Sequence, residues 1–241
     1  MHEIPALAAG GGVCALGGIF AWAAVAPSSE LFGSTIRRTG SDATIALTFD
    51  DGPNPAVTPG LLELLERYRV RGTFFLIGKW VGAEPSLAGE IASSGHTIGN
   101  HTNSHAALTF LSPARIAEEL DRCDDAIEAA GGEKPRWMRP PFGFRSPLLG
   151  GVVGKRGHRG VVMWSRWARD WKPQPAERVT RRLRSVRGGD IVLLHDGDHR
   201  VGNGDRSHTV AALEYWLPRW KDAGFKFVTL DGMHKGLERA R

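Results

Sequence analysis

Two aspartates stand side by side at the end of an apolar run, where Thr44-Ile45-Ala46-Leu47-Thr48-Phe49 leads into Asp50-Asp51-Gly52-Pro53-Asn54-Pro55. A carboxylate so placed can take a proton from water or hold a metal ion. Side chains alternate along a strand, yet a Gly-Pro turn at its end lets neighbouring carboxylates enter one cavity from different angles. Alone, the string reads equally well as a surface turn, since Asp-Gly and Asn-Pro are common turn dipeptides. A second string, Gly99-Asn100-His101-Thr102-Asn103-Ser104-His105, carries two imidazoles four residues apart. That spacing brings both to one side of a helical turn, where they can share one metal ion. An isolated histidine pair is often only polar surface. Joined by one carboxylate, it becomes a two-His, one-Asp donor set with positions left open for water and substrate, as hydrolytic and oxygenase metals require.

Further polar candidates follow in order: Arg139-Pro140-Pro141-Phe142-Gly143, Asp170-Trp171, and Leu193-Leu194-His195-Asp196. The elements that must position them alternate short β-rich runs with longer helical patterns, the signature of parallel βαβ units. Strands are expected at Thr44–Phe49, Gly72–Ile77, His96–Asn100, Trp137–Arg139, Gly160–Ser165, Asp190–Leu194 and Lys226–Leu230. Between them, Leu61, Leu62, Leu65 and Tyr68 share one helical face, and Ile116, Leu120, Cys123 and Ile127 share another. Ser112-Pro113 starts the second helix and Gly131-Gly132 stops it. The polar candidates follow strands, at the same end of the sheet, where parallel α/β folds build their active sites. Random turn residues would be divided between both ends.

In this motif order, from Ala43 to Asp231, the chain resembles the polysaccharide deacetylases with a NodB homology domain, carbohydrate esterase family four. The resemblance implies a distorted, incomplete (β/α)7-type barrel with its active site at the C-terminal strand ends. It implies hydrolysis of N-acetyl groups on an N-acetylglucosamine polymer, chitin-like or peptidoglycan. Carried over residue by residue, the metal, usually zinc, would be held by Asp51, His101 and His105, and Asp50 would be the general base. The backbone N–H of Phe142, beside Pro141, would help hold the oxyanion. His195 would be the general acid, Arg139 would orient Asp50, and Asp170 would orient His195. Trp171 and Leu193 would enclose the acetyl methyl. In many family members an aspartate lies three residues before the Asp-Trp pair; here Trp167 stands there, and with Trp164 and Trp171 it makes an aromatic stretch that suits sugar stacking or core packing equally. His2, His96, His158, His199, His208 and His234 receive no role.

Composition bounds the rest. With 241 residues and 41% hydrophobic content the chain can bury one sizeable core, and 24% charged residues exclude a disordered or fibrous class. The net charge of +5 is scattered. Its densest run, Arg178, Arg181, Arg182, Arg184 and Arg187, is expected to be a solvated helix face, and no nucleic-acid motif accompanies it. Two cysteines give no disulfide framework. From Ile4 to Ser29 there is no charged residue, so residues 1–29 form an apolar segment: signal, anchor or docked helix. Small residues at Ala21 and Ala23 suit cleavage. Residues 30–42 read as a joint and 43–241 as the catalytic domain. The expected protein is an extracytoplasmic monomer that acts on polysaccharide, with membrane association through residues 4–29. Rivals are a same-fold hydrolase of a non-sugar amide, a non-catalytic carbohydrate-binding relative, and a basic membrane or nucleic-acid binder.

Overall fold

The computed structural model describes residues 17–233. Residues 1–16 of the apolar N-terminal segment, with His2, and residues 234–241, with His234, lie outside the described residues. The sheet is parallel, in the order β1 (Thr35–Ile36), β6 (Gly160–Val162), β5 (Trp137–Met138), β4 (Thr97–Asn100), β3 (Thr73–Leu76), β2 (Thr44–Asp50), β8 (Ile191–His195), β7 (Arg166–Trp167). A ninth strand, β9 (Lys226–Phe227), pairs with the start of β2. Among the described residues β1 and β7 do not pair with each other, so the sheet curls into an incomplete barrel, as the family resemblance implies. Two strands were not expected from the sequence. β1 falls in the stretch read as a joint, and two residues of that joint thereby extend the sheet beyond β6. β7 is a two-residue strand beyond the expected end of the Gly160–Ser165 run.

Central β2 is buried from Ile45 onwards, so it reads as a nearly continuous apolar run, as a strand covered on both faces should. Its alternation sorts the side chains. Ile45, Leu47 and Phe49 face outward into the main core beneath the helices, whereas Ala46 belongs to an interior cluster with Phe75, Trp137, Val162 and Ile191. Residues 46, 48 and 50 therefore share the inner face. The same parity holds in β8, where Val192 and Leu194 join the outer core and Ile191 the inner one, leaving Leu193 and His195 on the inner face. Phe75 fills the interior against Gly99, where any Cβ would overlap the ring.

The outer layer comprises α1, described over residues 17–25, then α2 (Thr58–Arg67), α3 (Gly78–Ala83), α4 (Pro85–Ser93), α5 (Pro113–Ala129), α6 (Leu149–Lys155), α7 (Ala176–Leu183) and α8 (Ser207–Asp222). α5 begins as its sequence requires: Pro113 opens the first turn and the Ser112 side chain accepts from Arg115 N. Its stripe of Ile116, Leu120, Cys123 and Ile127 is fully buried. On α7, Val179 and Leu183 face the core, while Arg178, Arg181 and Arg184 are exposed, with Arg187 exposed just beyond. Arg182 differs, bonding to the Gln174 side chain and to the Ala168 and Arg169 carbonyls.

Candidate active site

The inner face of the half-barrel dictates the first functional side chain. Asp50, the last residue of β2, lies directly above Thr48 on that face, and buried Arg139, just beyond β5, reaches both: Nη1 donates to Thr48 Oγ1 at 2.8 Å and to Asp50 Oδ1 at 2.7 Å. Nε and Nη2 donate to the Val162 and Met163 carbonyls. The Arg139 guanidinium also sits over the Phe75 ring, 4.2 Å from its centroid. Alternation alone would turn Asp51 away from Asp50. Instead the chain bends there, with φ of 75° at Asp51, and Gly52 follows because a Cβ at that position would overlap the Asp196 carboxylate.

The histidines come together differently from the sequence expectation. Residues 101–107 form no helical turn. They form a loop with φ of 66° at Thr102 and 61° at His105, conformations rare for non-glycine residues and costly unless the surroundings enforce them. Here Glu119 of α5 does so, accepting from the Ser104 N–H and hydroxyl, while Asn100 Oδ1 accepts from Thr102 N and Thr102 Oγ1 from His105 N. Of six non-glycine residues with positive φ among the described residues, five (Asp51, Thr102, His105, Phe142 and Arg169) lie in the loops around this cavity. A helix would have placed His101 and His105 by spacing alone; the loop places them by anchoring each turn.

Asp51, His101 and His105 offer one ligand atom each within 4.8 Å of one another, and all three residues are buried. His101 donates Nδ1–H to the Arg139 carbonyl at 2.7 Å, which turns Nε2 toward the carboxylates, 3.5 Å from Asp51 Oδ1. His105 Nε2 is 3.2 Å from the same oxygen. Asp51 Oδ1 has no hydrogen-bond partner although buried. Burial works against an ionised Asp51, but the surrounding His101, His199, His105 and His195 override it and hold its carboxyl well below the usual range. Burial pushes His105 down to about 3, so its imidazole is neutral. An ionised carboxylate, a neutral His105 and the His101 ring around an unsatisfied buried oxygen form a donor set that suits a divalent cation, so these residues fit a metal. Asp50 Oδ2 lies 3.8 Å from His101 Nε2.

On the neighbouring strand stands His195, paired with Asp50 in register. Asp170 Oδ1 is 2.9 Å from His195 Nδ1, and Oδ2 accepts from His195 N and Thr209 Oγ1. Burial by itself lowers the His195 pKa, but Asp170, through charge and hydrogen bond, then Asp51 and Asp50, reverse that and raise it to about 9. The cavity, about 400 Å³, opens between these groups and an aromatic wall. Leu193, Trp171 and Phe142 line it; Pro141 is buried in the 3-10 turn that carries Phe142 at φ 59°, and does not line it. Trp167 is at the mouth rather than in the core, stacked on Trp171 at 4.8 Å.

Sequence reasoning passed over three neighbours. His199 lines the cavity, stacks on His105 at 4.3 Å, and lies 3.8 Å from Asp51. His208 bonds to the Asp170 carbonyl. Asp196, wholly buried, accepts from Thr58 Oγ1; burial first, then Asp51 and Asp50, raise it to about 7. Asp196 ends the His195 string, where it was given no role, and His199 lies three residues beyond it; that adjacency was the available signal. The Arg139–Asp50 pair gives a stability test. Arg139→Met removes the cation and leaves Asp50 buried unpaired, so urea unfolding should show a loss of about 3–5 kcal/mol.

Two comparisons bear on sequence and one on structure. A model of the family described as polysaccharide deacetylase matches residues 37–161. A chitooligosaccharide deacetylase from a Bradyrhizobium strain is 36% identical over 83% of this chain and 96% of its own; a peptidoglycan-N-acetylglucosamine deacetylase from Bacillus cereus is 38% identical over 79% and 87%. Among solved structures, a CE4 family pseudoenzyme from Bacillus anthracis superimposes with a TM-score of 0.73 at 28% identity, covering 83% of this chain and 69% of that one. With motif order, half-barrel and strand-end cavity all in agreement, the chain belongs to the polysaccharide deacetylase family.

Proposed function

We propose that this protein is a metal-dependent hydrolase that removes N-acetyl groups from an N-acetylglucosamine-containing polysaccharide or oligosaccharide and releases acetate. The observation that carries the reading is one cavity in which an Asp51–His101–His105 cluster is flanked by buried Asp50 on one side and an Asp170-backed His195 on the other. Family membership and the relatives named as chitooligosaccharide and peptidoglycan deacetylases support the sugar substrate.

The Asp51, His101 and His105 set suits zinc, which when bound polarises a carbonyl and makes water acidic enough to deprotonate near neutral pH. Asp50, oriented by its hydrogen bond to Arg139, takes the proton as water attacks the acetyl carbon. The backbone N–H of Phe142 helps hold the developing oxyanion. The amine leaves poorly unless protonated, and His195, charged because Asp170 faces it, delivers that proton. Trp171 and Leu193 enclose the methyl group. We assign the catalytic unit to residues 43–241, with residues 30–42 as the joint that adds β1, and infer a monomer working outside the cytoplasm, associated with membrane through residues 4–29.

Two other readings share the fold. A hydrolase of a non-sugar amide would use identical groups, because fold does not fix substrate. Acetate release from defined N-acetylglucosamine oligomers, set beside hydrolysis of small cyclic amides, separates them: turnover of the amides alone would refute the sugar assignment. The other is a carbohydrate-binding relative without activity, and a CE4 family pseudoenzyme does share this fold. This chain retains Asp50, Asp51, His101, His105 and His195, which favours catalysis.

A further inference from the structure

The apolar N-terminal segment leaves open whether it is removed, and the surroundings of Arg145 speak to that. Arg145 is three residues beyond Phe142 and is buried. Its backbone N–H donates to the Ala24 carbonyl at 2.9 Å. Its Nη2 donates to the Ala23 carbonyl at 3.0 Å and to the Ala26 carbonyl at 2.5 Å, and its Nη1 to the Ser29 carbonyl at 2.5 Å. The last carbonyls of a helix have no partner within it, and a cation at that end also meets the negative pole of the helix dipole. One arginine thus closes the end of α1 and the turn after it. Every acceptor of its guanidinium among the described residues lies between Ala23 and Ser29.

This arrangement conflicts with cleavage after Ala23. Ala23 and Ala24 are buried, and the cut would take away one of the three guanidinium acceptors and leave a new cationic amino terminus at buried Ala24 beside Arg145, a costly state. Meanwhile the rest of α1 faces outward: Ile19 and Trp22 are each 54% exposed, Val25 48%, and Leu31, just after the helix, 60%. Upstream the sequence stays uncharged back to Ile4. An exposed apolar face of this kind marks an interaction surface, and tryptophan favours the headgroup level of a bilayer.

We propose that residues 17–29 are retained in the working protein as an anchor arm, that its exposed face of Ile19, Trp22, Val25 and Leu31 docks on a phospholipid surface, and that Arg145 fastens this arm to the loop lining the active-site cavity. Phe142, Gly143 and Phe144 line the cavity and Arg145 follows immediately, so one loop carries both the cavity wall and the arginine that holds the arm. The catalytic domain is then held against the membrane in a set orientation instead of swinging on a linker. The inference extends the membrane association proposed above and does not depend on the sugar assignment.

The test uses the full chain, expressed in a bacterium and recovered from membranes, together with vesicles of phosphatidylethanolamine and phosphatidylglycerol. Intact mass should include residues 17–29, and the protein should float with the vesicles. Ile19→Ser/Trp22→Ser/Val25→Ser should lower the floated fraction at least fivefold while acetate release from soluble oligomers is unchanged. Arg145→Met should still float, but elastase, which cuts after small residues, should release the catalytic domain from vesicles at least tenfold faster than wild type. Arg145→Lys, which keeps the charge but has one nitrogen in place of the two that reach Ala23, Ala26 and Ser29, should fall between and guards against a folding defect in Arg145→Met. A mature chain beginning after Gly17 would overturn the proposal, as would equal flotation of the triple variant or elastase release at the wild-type rate from both Arg145 variants.

Discussion

Asp50→Asn is expected to lower kcat by roughly 10²–10⁴-fold, the usual contribution of a positioned general base, while bound metal and KM stay close to wild type. The amide keeps the shape of the carboxyl and can still accept from Arg139, so the fold survives. Asp50→Ala would mix two effects, since it leaves buried Arg139 facing an empty place. What the amide cannot do is take a proton. The effect should therefore fall on turnover, because Asp50 contributes no ligand atom to the Asp51–His101–His105 cluster. Steady-state kinetics with metal analysis of the same sample checks it. Unchanged turnover would remove Asp50 from the role of base.

Asp170→Asn should have an effect of similar size with a different signature. In the wild type Asp170 is the main reason that His195, despite burial, titrates near 9, so the imidazolium is present throughout the neutral range. Activity that needs this proton falls as pH rises through that value. Without the charge of Asp170, burial prevails and His195 gives up its proton at lower pH, so the alkaline limb of kcat moves acidward as kcat itself falls roughly 10²–10⁴-fold. Stability follows the same linkage. A histidine whose pKa is raised by folding stabilises the fold fully below its unfolded value of about 6.5, and that contribution is lost as pH passes its folded value. Thermal unfolding of the wild type should thus weaken between pH 7 and 10 more than that of Asp170→Asn. A variant with an unmoved alkaline limb would contradict the pairing.

How much of this was legible beforehand depends on which force places each group. Asp50, Arg139, Leu193 and His195 were readable because they end or follow strands whose apolar pattern is strong, and period-two alternation carries their direction from buried neighbours such as Ala46, Trp137 and Ile191. Asp51 and His105 were readable as types but not as geometry. Their placement depends on positive φ and on side-chain anchors from distant residues, Glu119 above all, which no local pattern reveals. The helical turn expected for residues 101–105 failed for that reason: asparagine and threonine side chains there bond to the backbone and hold it out of a helix. β1 and β7 were missed because strands of two residues have no period to read. Trp167 was left between core and sugar platform, and its position at the mouth follows from the β7 ending that the sequence did not show. The capping of α1 by Arg145 is a contact across more than one hundred residues and leaves no local trace.

The proposed function rests on a metal site of Asp51, His101 and His105 beside Asp50. The most direct measurement is zinc stoichiometry of the purified, folded full chain by mass spectrometry under non-denaturing conditions, with Asp51→Ala, His101→Ala and His105→Ala alongside. The account predicts one zinc per wild-type chain and loss of that ion from each folded variant. Folded wild type that takes up no divalent ion, or folded variants that all keep one, would contradict it.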